Sequence, residues 1–238
     1  MSNGPFPPLP RATRRARLAV ALDPGLRDTL ERGLSRLSLA VVPEAVDRLL
    51  TYLALLGRWN RIYNLTAVRE PQEMVTRHLL DCLAVSPYLL GPRVLDVGSG
   101  AGLPAVPLAV MHPRWRFTAL DSSLKKTRFI TQVVVELRLT NLDVVHQRVE
   151  TYRPEGNFDT VVSRAFASLA DFVATSQPLC RPGGVLLAMK GVHPAEEIQA
   201  LAAGHGGAEV IPLRVPGLEA ARHLVRLVNR GRPVVFES

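Results

Sequence analysis

From Arg93 onward the chain alternates short apolar runs with amphipathic ones, and the first run ends in a glycine-rich turn, "VLDVGSGAGLP" (94–104). A strand that breaks into Gly98, Gly100 and Gly102 and resumes as a helix opens a strand–helix–strand crossover, and such crossovers build parallel sheets covered on both faces. The pattern continues with strands at 116–120, 142–146, 158–163 and 184–190. Between and after them helices are predicted at 103–112, 123–139, near 167–176 and from Pro194, and runs at 209–215 and 223–229 close the sheet as a pair. The expectation is an α/β fold, Rossmann-like, with a mostly parallel seven-stranded sheet over 91–238. Residues 24–90 read instead as an N-terminal helical appendage, with Val46, Leu49, Leu50, Leu53 and Leu56 at helical spacing.

Charge points to a partner class. Against 21 Asp+Glu stand 29 Lys+Arg, a net +8 that suits a polyanion. Arg11, Arg14, Arg15 and Arg17 fall within 1–23, a proline- and arginine-rich stretch that reads as a disordered basic arm. No apolar run approaches the roughly 18 residues of a membrane span. Cys82 and Cys180 have neither disulfide nor metal-ligand spacing, so no metal is expected and a reducing, cytoplasmic setting is the simplest inference.

A glycine turn between strand and helix usually receives phosphate. Asp96 argues against phosphate here: a carboxylate beside the turn repels a pyrophosphate and attracts an ammonium or sulfonium group. Leu103 stands where the dinucleotide fingerprint G-x-G-x-x-G requires a third glycine. Asp121, at the end of the second strand, can accept from both ribose hydroxyls. Glu150, after the third, can accept from an adenine amino group while the Val149 N–H meets a ring nitrogen. Three acids at successive strand ends plus the turn describe a nucleoside without phosphates and with a cationic tail, which is S-adenosyl-L-methionine.

The acceptor is read by elimination. Methylation at pyrimidine carbon-5 needs a cysteine nucleophile, and neither cysteine follows a strand end suitably. Exocyclic amine methylation commonly carries an Asn/Asp-Pro-Pro-aromatic stretch where this chain reads "SRAFASL". Ring-nitrogen chemistry survives; guanine N7 fits it, because its in-plane lone pair carries no proton and needs positioning rather than a general base. Arg164 and Lys190 end the fourth and fifth strands and can meet a cofactor carboxylate or an RNA phosphate. Phe166 suits either base stacking or the core.

These residues carry a family resemblance. "WNRIYNLTAV" (59–68), "RHLLDCLAV" (77–85), "VLDVGSGAGLPAVPLAV" (94–110), "LDSSLKKTRFI" (120–130), "VVSRAFASL" (161–169) and "MKGVHPAEEI" (189–198) resemble, in that order, the bacterial 16S ribosomal RNA guanine-N7 methyltransferases of the glucose-inhibited division protein B family. The resemblance covers about residue 43 to the C-terminus. It implies methyl transfer from S-adenosylmethionine to one guanine of 16S ribosomal RNA, guanine-527 in that RNA's conventional numbering, within the small subunit or an assembly intermediate. It implies cofactor contacts at Gly98, Leu103, Val149, Glu150 and Arg164. It also implies that Asn64, in "NLT", and His78 with Asp81 belong to a functional surface.

Two positions depart from the family pattern: Ala105 stands where glycine is usual and Cys82 where serine is usual. Alternatives remain open at this stage. They are methyl transfer to another RNA, a protein or a small molecule, a non-catalytic ribosome-assembly module, and an NAD oxidoreductase.

Overall fold

The computed structural model describes residues 23–164, 166, 168–202 and 207–231. Arg11, Arg14, Arg15 and Arg17 of the basic arm lie outside the described residues. Helix α1 (Pro24–Arg36) starts where Asp23 Oδ1 accepts the Gly25 and Leu26 N–H groups at 2.8 and 3.3 Å, an N-cap that satisfies two otherwise orphan donors. Helix α2 (Pro43–Tyr63) buries Val46, Leu49, Leu50, Leu53 and Leu56, each contributing on the order of 2 kcal/mol of apolar burial. It stops at Asn64, whose left-handed φ of 48° is one that asparagine tolerates at a helix end.

The third helix, α3 (residues 71–83), is not uniform. Its first and last turns are α, but Val75–Leu80 is a π-helix. The wider turn buries His78 and Asp81 along with Val75, Leu79 and Leu80. A π-segment is rare and tends to mark a functional site. Gly33 of α1 permits the packing, since a Cβ there would lie 2.3 Å from Leu80 Cδ1.

Strands β1 (Arg93–Val97), β2 (Arg116–Asp121), β3 (Leu142–His146), β4 (Phe158–Ser163), β5 (Cys180–Lys190), β6 (Glu209–Pro212) and β7 (His223–Val228) form one sheet in the order β3-β2-β1-β4-β5-β7-β6. β1 to β5 pair in parallel; the closing pair expected from the sequence forms, and β7 runs antiparallel to both its neighbours. β5 begins four residues earlier than the apolar run suggests. Asn229 Nδ2 donates to the Cys180 carbonyl at 2.7 Å, and Arg181 Nε donates to Asp159 Oδ1 at 2.5 Å.

Successive side chains of a strand face opposite ways, and here they feed two cores. Val185 and Leu187 join helices α1–α3 with α4 (Ala105–Met111) and α5 (Leu124–Leu137) on one face. Leu186 and Ala188 join α6 (Leu169–Ser176) and α7 (Ala195–Ala202) on the other. The N-terminal helices thus share a core with the sheet. Trp59 of α2 meets Phe129 of α5 edge-on at 5.3 Å, and the buried Tyr52 hydroxyl donates to the Ala101 carbonyl at 2.8 Å, so α2 holds the glycine turn from behind.

Candidate functional site

Strand order reverses between β1 and β4, and in such sheets the ligand crevice lies outside the carboxyl ends of the strands at that switch. Two cavities open there. The first, a cleft of ≈ 520 Å³, is lined by Gly98, Asp121, Val149, Glu150, Phe166 and Asp171 among others. Its frame is backbone. Gly98, Gly100 and Gly102 have φ of 72°, 58° and 85°, values glycine adopts without strain. At Gly98 a Cβ would meet nothing within 4 Å, whereas at Gly102 it would strike Val106 Cγ2 at 2.6 Å. Gly98 therefore opens the cleft and Gly102 closes the turn onto α4.

Two acids tie this frame together. Asp121 Oδ2 accepts the Gly100 N–H at 2.9 Å and Oδ1 accepts the Ser123 N–H at 2.8 Å, linking the glycine turn to the start of α5. Asp96 Oδ2 accepts the Ala105 N–H at 3.1 Å, while Oδ1 is buried without a hydrogen-bond partner. Burial pushes the Asp96 carboxyl up to about 7, against the Ala105 and Ser99 hydrogen bonds and the charge of Arg164. An orphaned buried acceptor is costly unless something answers it. Leu103 lies buried in the core, 3% exposed, with its N–H donated to the Ser99 carbonyl. Phe166 lines the cleft and also packs on Phe172 at 5.4 Å.

The second cavity is a basin of ≈ 410 Å³ beyond the ends of β4 and β5, lined by Arg77, His78, Asp81, Arg164, Lys190 and Arg222 among others. Its frame is side chains. Asp81, 4% exposed, accepts from Arg222 Nε at 3.0 Å and lies 3.8 Å from Arg164 Nη1. Arg164 Nη1 also donates to the Arg77 carbonyl at 3.3 Å. His78 Nδ1 lies 3.0 Å from that same carbonyl, so it donates, which leaves Nε2 to accept from the Thr66 hydroxyl at 2.9 Å. Burial, helped by the Arg164 charge, lowers the His78 imidazole to about 4 and keeps it neutral. Lys190 Nζ sits 3.0 and 2.9 Å from the two Glu197 oxygens.

The residues singled out in the sequence are thereby sorted. Gly98, Asp121, Val149 and Glu150 line the cleft; Arg164, His78 and Lys190 line the basin. Asp96, Gly100, Gly102 and Leu103 build the turn behind the cleft, and exposed Asn64 caps α2 and accepts from Arg69 at 3.4 Å. Arg164 stands between the two cavities, since it lines the basin and its charge reaches Asp96. Sequence reasoning missed Arg222, Tyr52 and Ser163, whose Oγ donates to the Val97 carbonyl at 2.8 Å. Nothing near Arg222 in the sequence marks it; β7 alone brings it to Asp81. Among the described residues there is no group of three or more His, Cys, Asp or Glu able to hold a metal, and no helix long and apolar enough to cross a membrane.

The sequence pattern of the family described as rRNA small subunit methyltransferase G matches residues 45–225. A protein of that name from Nitrosococcus oceani is 52% identical over 201 residues, 84% of this chain and 94% of the relative. Another of that name, from Pseudomonas paraeruginosa, is 54% identical over 201 residues, with the same coverage. Among solved structures the fold is similar to a T. thermophilus 16S rRNA N2 G1207 methyltransferase in complex with AdoMet and guanosine. There the TM-score is 0.51 and the identity 21%, over 63% of this chain and 42% of the other. It is likewise similar to the ribosomal protein L11 methylase from Lactobacillus delbrueckii subsp. bulgaricus, with TM-score 0.50 and 17% identity over 63% and 76% of the two chains. At those identities the likeness establishes the Rossmann-like methyltransferase fold.

Proposed function

The chain belongs to the rRNA small subunit methyltransferase G family, and we propose that it methylates N7 of one guanine of 16S ribosomal RNA, guanine-527, using S-adenosyl-L-methionine. When bound, the cofactor supplies an electrophilic methyl group on sulfonium; the guanine N7 lone pair forms the new C–N bond as the C–S bond breaks, and no proton leaves. The cleft suits this cofactor. Asp121 and Glu150 offer acceptors for ribose and adenine, and the open face of Gly98 lets a ligand approach the backbone. The bare Asp96 oxygen suits the cationic end.

The observation that carries the acceptor reading is the state of the basin. Its imidazole is neutral with both ring nitrogens engaged, and Asp81 is held by two arginines. A site so arranged orients a base and withdraws no proton, which is what N7 requires and an exocyclic amine does not. Arg77, Arg164, Lys190 and Arg222 supply positive charge against Glu73 and Asp81, suiting phosphate contacts with RNA. The substrate is the small subunit or its assembly intermediate, and the setting is the cytoplasm.

Small subunits from cells lacking this protein, incubated with it and labelled S-adenosylmethionine, should take up label, and chain cleavage at 7-methylguanine should map to one position. Label without cleavage refutes N7. No label, with saturable cofactor binding intact, refutes the RNA acceptor and favours a binding module.

A further inference from the structure

Helix α5 starts with the wrong charge for its own stability. Carboxylates stabilise a helix N-terminus and cations destabilise it. Yet the first turn of α5 carries Lys125 and Lys126 and no acid, and Ser123 makes no side-chain cap bond. Lys126 is accounted for within the cleft, where its Nζ lies 3.8 Å from Asp121 Oδ2. Lys125 has a different partner. Its Nζ donates to the Tyr63 carbonyl at 2.9 Å, in a partly buried contact across 62 positions of chain. Tyr63 is the last residue of α2, so the ammonium group answers one of the carbonyls that a helix leaves unpaired at its C-terminus, where positive charge is favoured. The lysine thus serves the end of α2 at the expense of the start of α5.

The fold does not depend on this contact. Trp59 packs on Tyr63 at 5.2 Å and on Phe129 at 5.3 Å, so aromatic rings hold α2 against α5 without the ammonium group. What Lys125 adds is a fixed point where the chain leaves α2. Three residues on, within about 11 Å of chain at roughly 3.6 Å per residue, the Thr66 hydroxyl meets His78 Nε2 at 2.9 Å and accepts the Val68 N–H at 3.2 Å. Ala67 and Val68 line the basin. In the other direction, Asp121 Oδ1 accepts the N–H of Ser123, the residue from which α5 starts. A single side chain therefore spans from the helix start held by the ribose acceptor to the loop that walls the basin.

We propose that Lys125 is a positioning residue for methyl transfer: by holding the Tyr63 carbonyl it sets the 64–68 loop, and with it the target base, at a fixed offset from the cofactor. This rests on the basin's being the site of that base. Variants of the full chain test it. Lys125→Met keeps the apolar stem and removes the donor, while Lys125→Arg keeps a cationic donor. A misplacement of about 1 Å costs on the order of 100-fold in rate, so kcat for methylation of small subunits should fall at least about tenfold in Lys125→Met. The dissociation constant of S-adenosylmethionine should stay within about twofold of wild type, and Lys125→Arg should recover most of the rate. Thr66→Val cuts the same path further along, so the two losses should not add: the double variant should be within about threefold of the slower single one. Wild-type kcat in Lys125→Met, or additive losses, would overturn the proposal. So would a log–log salt slope of RNA binding shallower by about 0.7 in Lys125→Met, the mark of a direct phosphate contact. Hydrogen exchange reads the loop without chemistry. The amides of 64–68 should exchange at least about tenfold faster in Lys125→Met, with those of the α5 interior unchanged, and unchanged exchange at 64–68 would overturn the proposal. Faster exchange together with absence of methyl transfer by the wild type would support the strut while overturning the N7 reading; N7 methylation at a kcat indifferent to Lys125→Met does the reverse.

Discussion

The cleft and the basin sit side by side on one sheet and are built from opposite materials. In the cleft the frame is main chain, with three left-handed glycines and two buried carboxylates, Asp121 holding two backbone N–H groups and Asp96 one. Among its lining residues Asp121, Glu150 and Asp171 outnumber Lys126 and Arg148. In the basin the frame is side chains, and Arg77, Arg164, Lys190 and Arg222 outnumber Glu73 and Asp81. The acidic side suits a cationic ligand and the basic side a polyanion, so one protein of net +8 sets two surfaces of opposite charge side by side across a few strand ends. Arg164 is the divider, and the largest effect should come from it.

Replacing Arg164 by Ala leaves buried Asp81 with Arg222 as its remaining arginine contact and removes a donor from the Arg77 carbonyl. Removing one member of a buried ion-pair network typically destabilises by several kcal/mol when the remaining charge is uncompensated, and by less when, as here, a second partner stays. Methyl transfer to small subunits should fall about 100-fold, equivalent to about 2.7 kcal/mol of transition-state stabilisation, with a lowered melting temperature. The comparison breaks if the loss appears entirely as weaker S-adenosylmethionine binding at unchanged kcat, which would move Arg164 to the cofactor side.

Gly98→Ala acts on the cleft alone. At φ 72° a Cβ costs about 1–2 kcal/mol, and it would point into open cleft where the ligand approaches. Affinity for S-adenosylmethionine, measured by calorimetry, should drop about 10- to 30-fold, while RNA affinity in the absence of cofactor stays at the wild-type value. A parallel loss of RNA affinity would mean that the two sides are mechanically one.

The same contrast explains what could be read from the sequence. The sheet, its helices and the cleft were legible because each depends on short-range patterns. β1, the glycine turn and α4 are contiguous, and Asp121 is found by counting forward one strand. The basin was legible only in part: Arg164 and Lys190 fall at strand ends, but Asp81 and Arg222 meet across 141 positions of chain through sheet order alone. The resemblance marked His78 and Asp81 for a functional surface and Arg164 for the cofactor. The π-segment at Val75–Leu80 was equally silent, since "VTRHLL" satisfies an α period as well; only the packing of Leu80 on Gly33 and the burial of His78 and Asp81 select the wider turn.

Asp96 offers the smallest effect and the finest discrimination. Its folded value of about 7 lies above the ordinary carboxylate value of about 3.9, so the native chain holds a proton that the unfolded chain has lost between those values. Stability of the ligand-free protein should therefore fall as pH rises from about 4 to about 7 and level off above. Cofactor binding should run the other way. A cationic tail beside the bare Oδ1 favours the carboxylate, so affinity should rise several-fold, about fivefold, between pH 6 and pH 8. Asp96→Asn keeps an acceptor for the Ala105 N–H and removes the titration, and should flatten both trends together. If affinity in the variant still rises with pH while the stability trend disappears, Asp96 only ties the turn. The cation then answers to Asp121 or Glu150, and the charge contrast between cleft and basin survives with its centre moved outward along the strands.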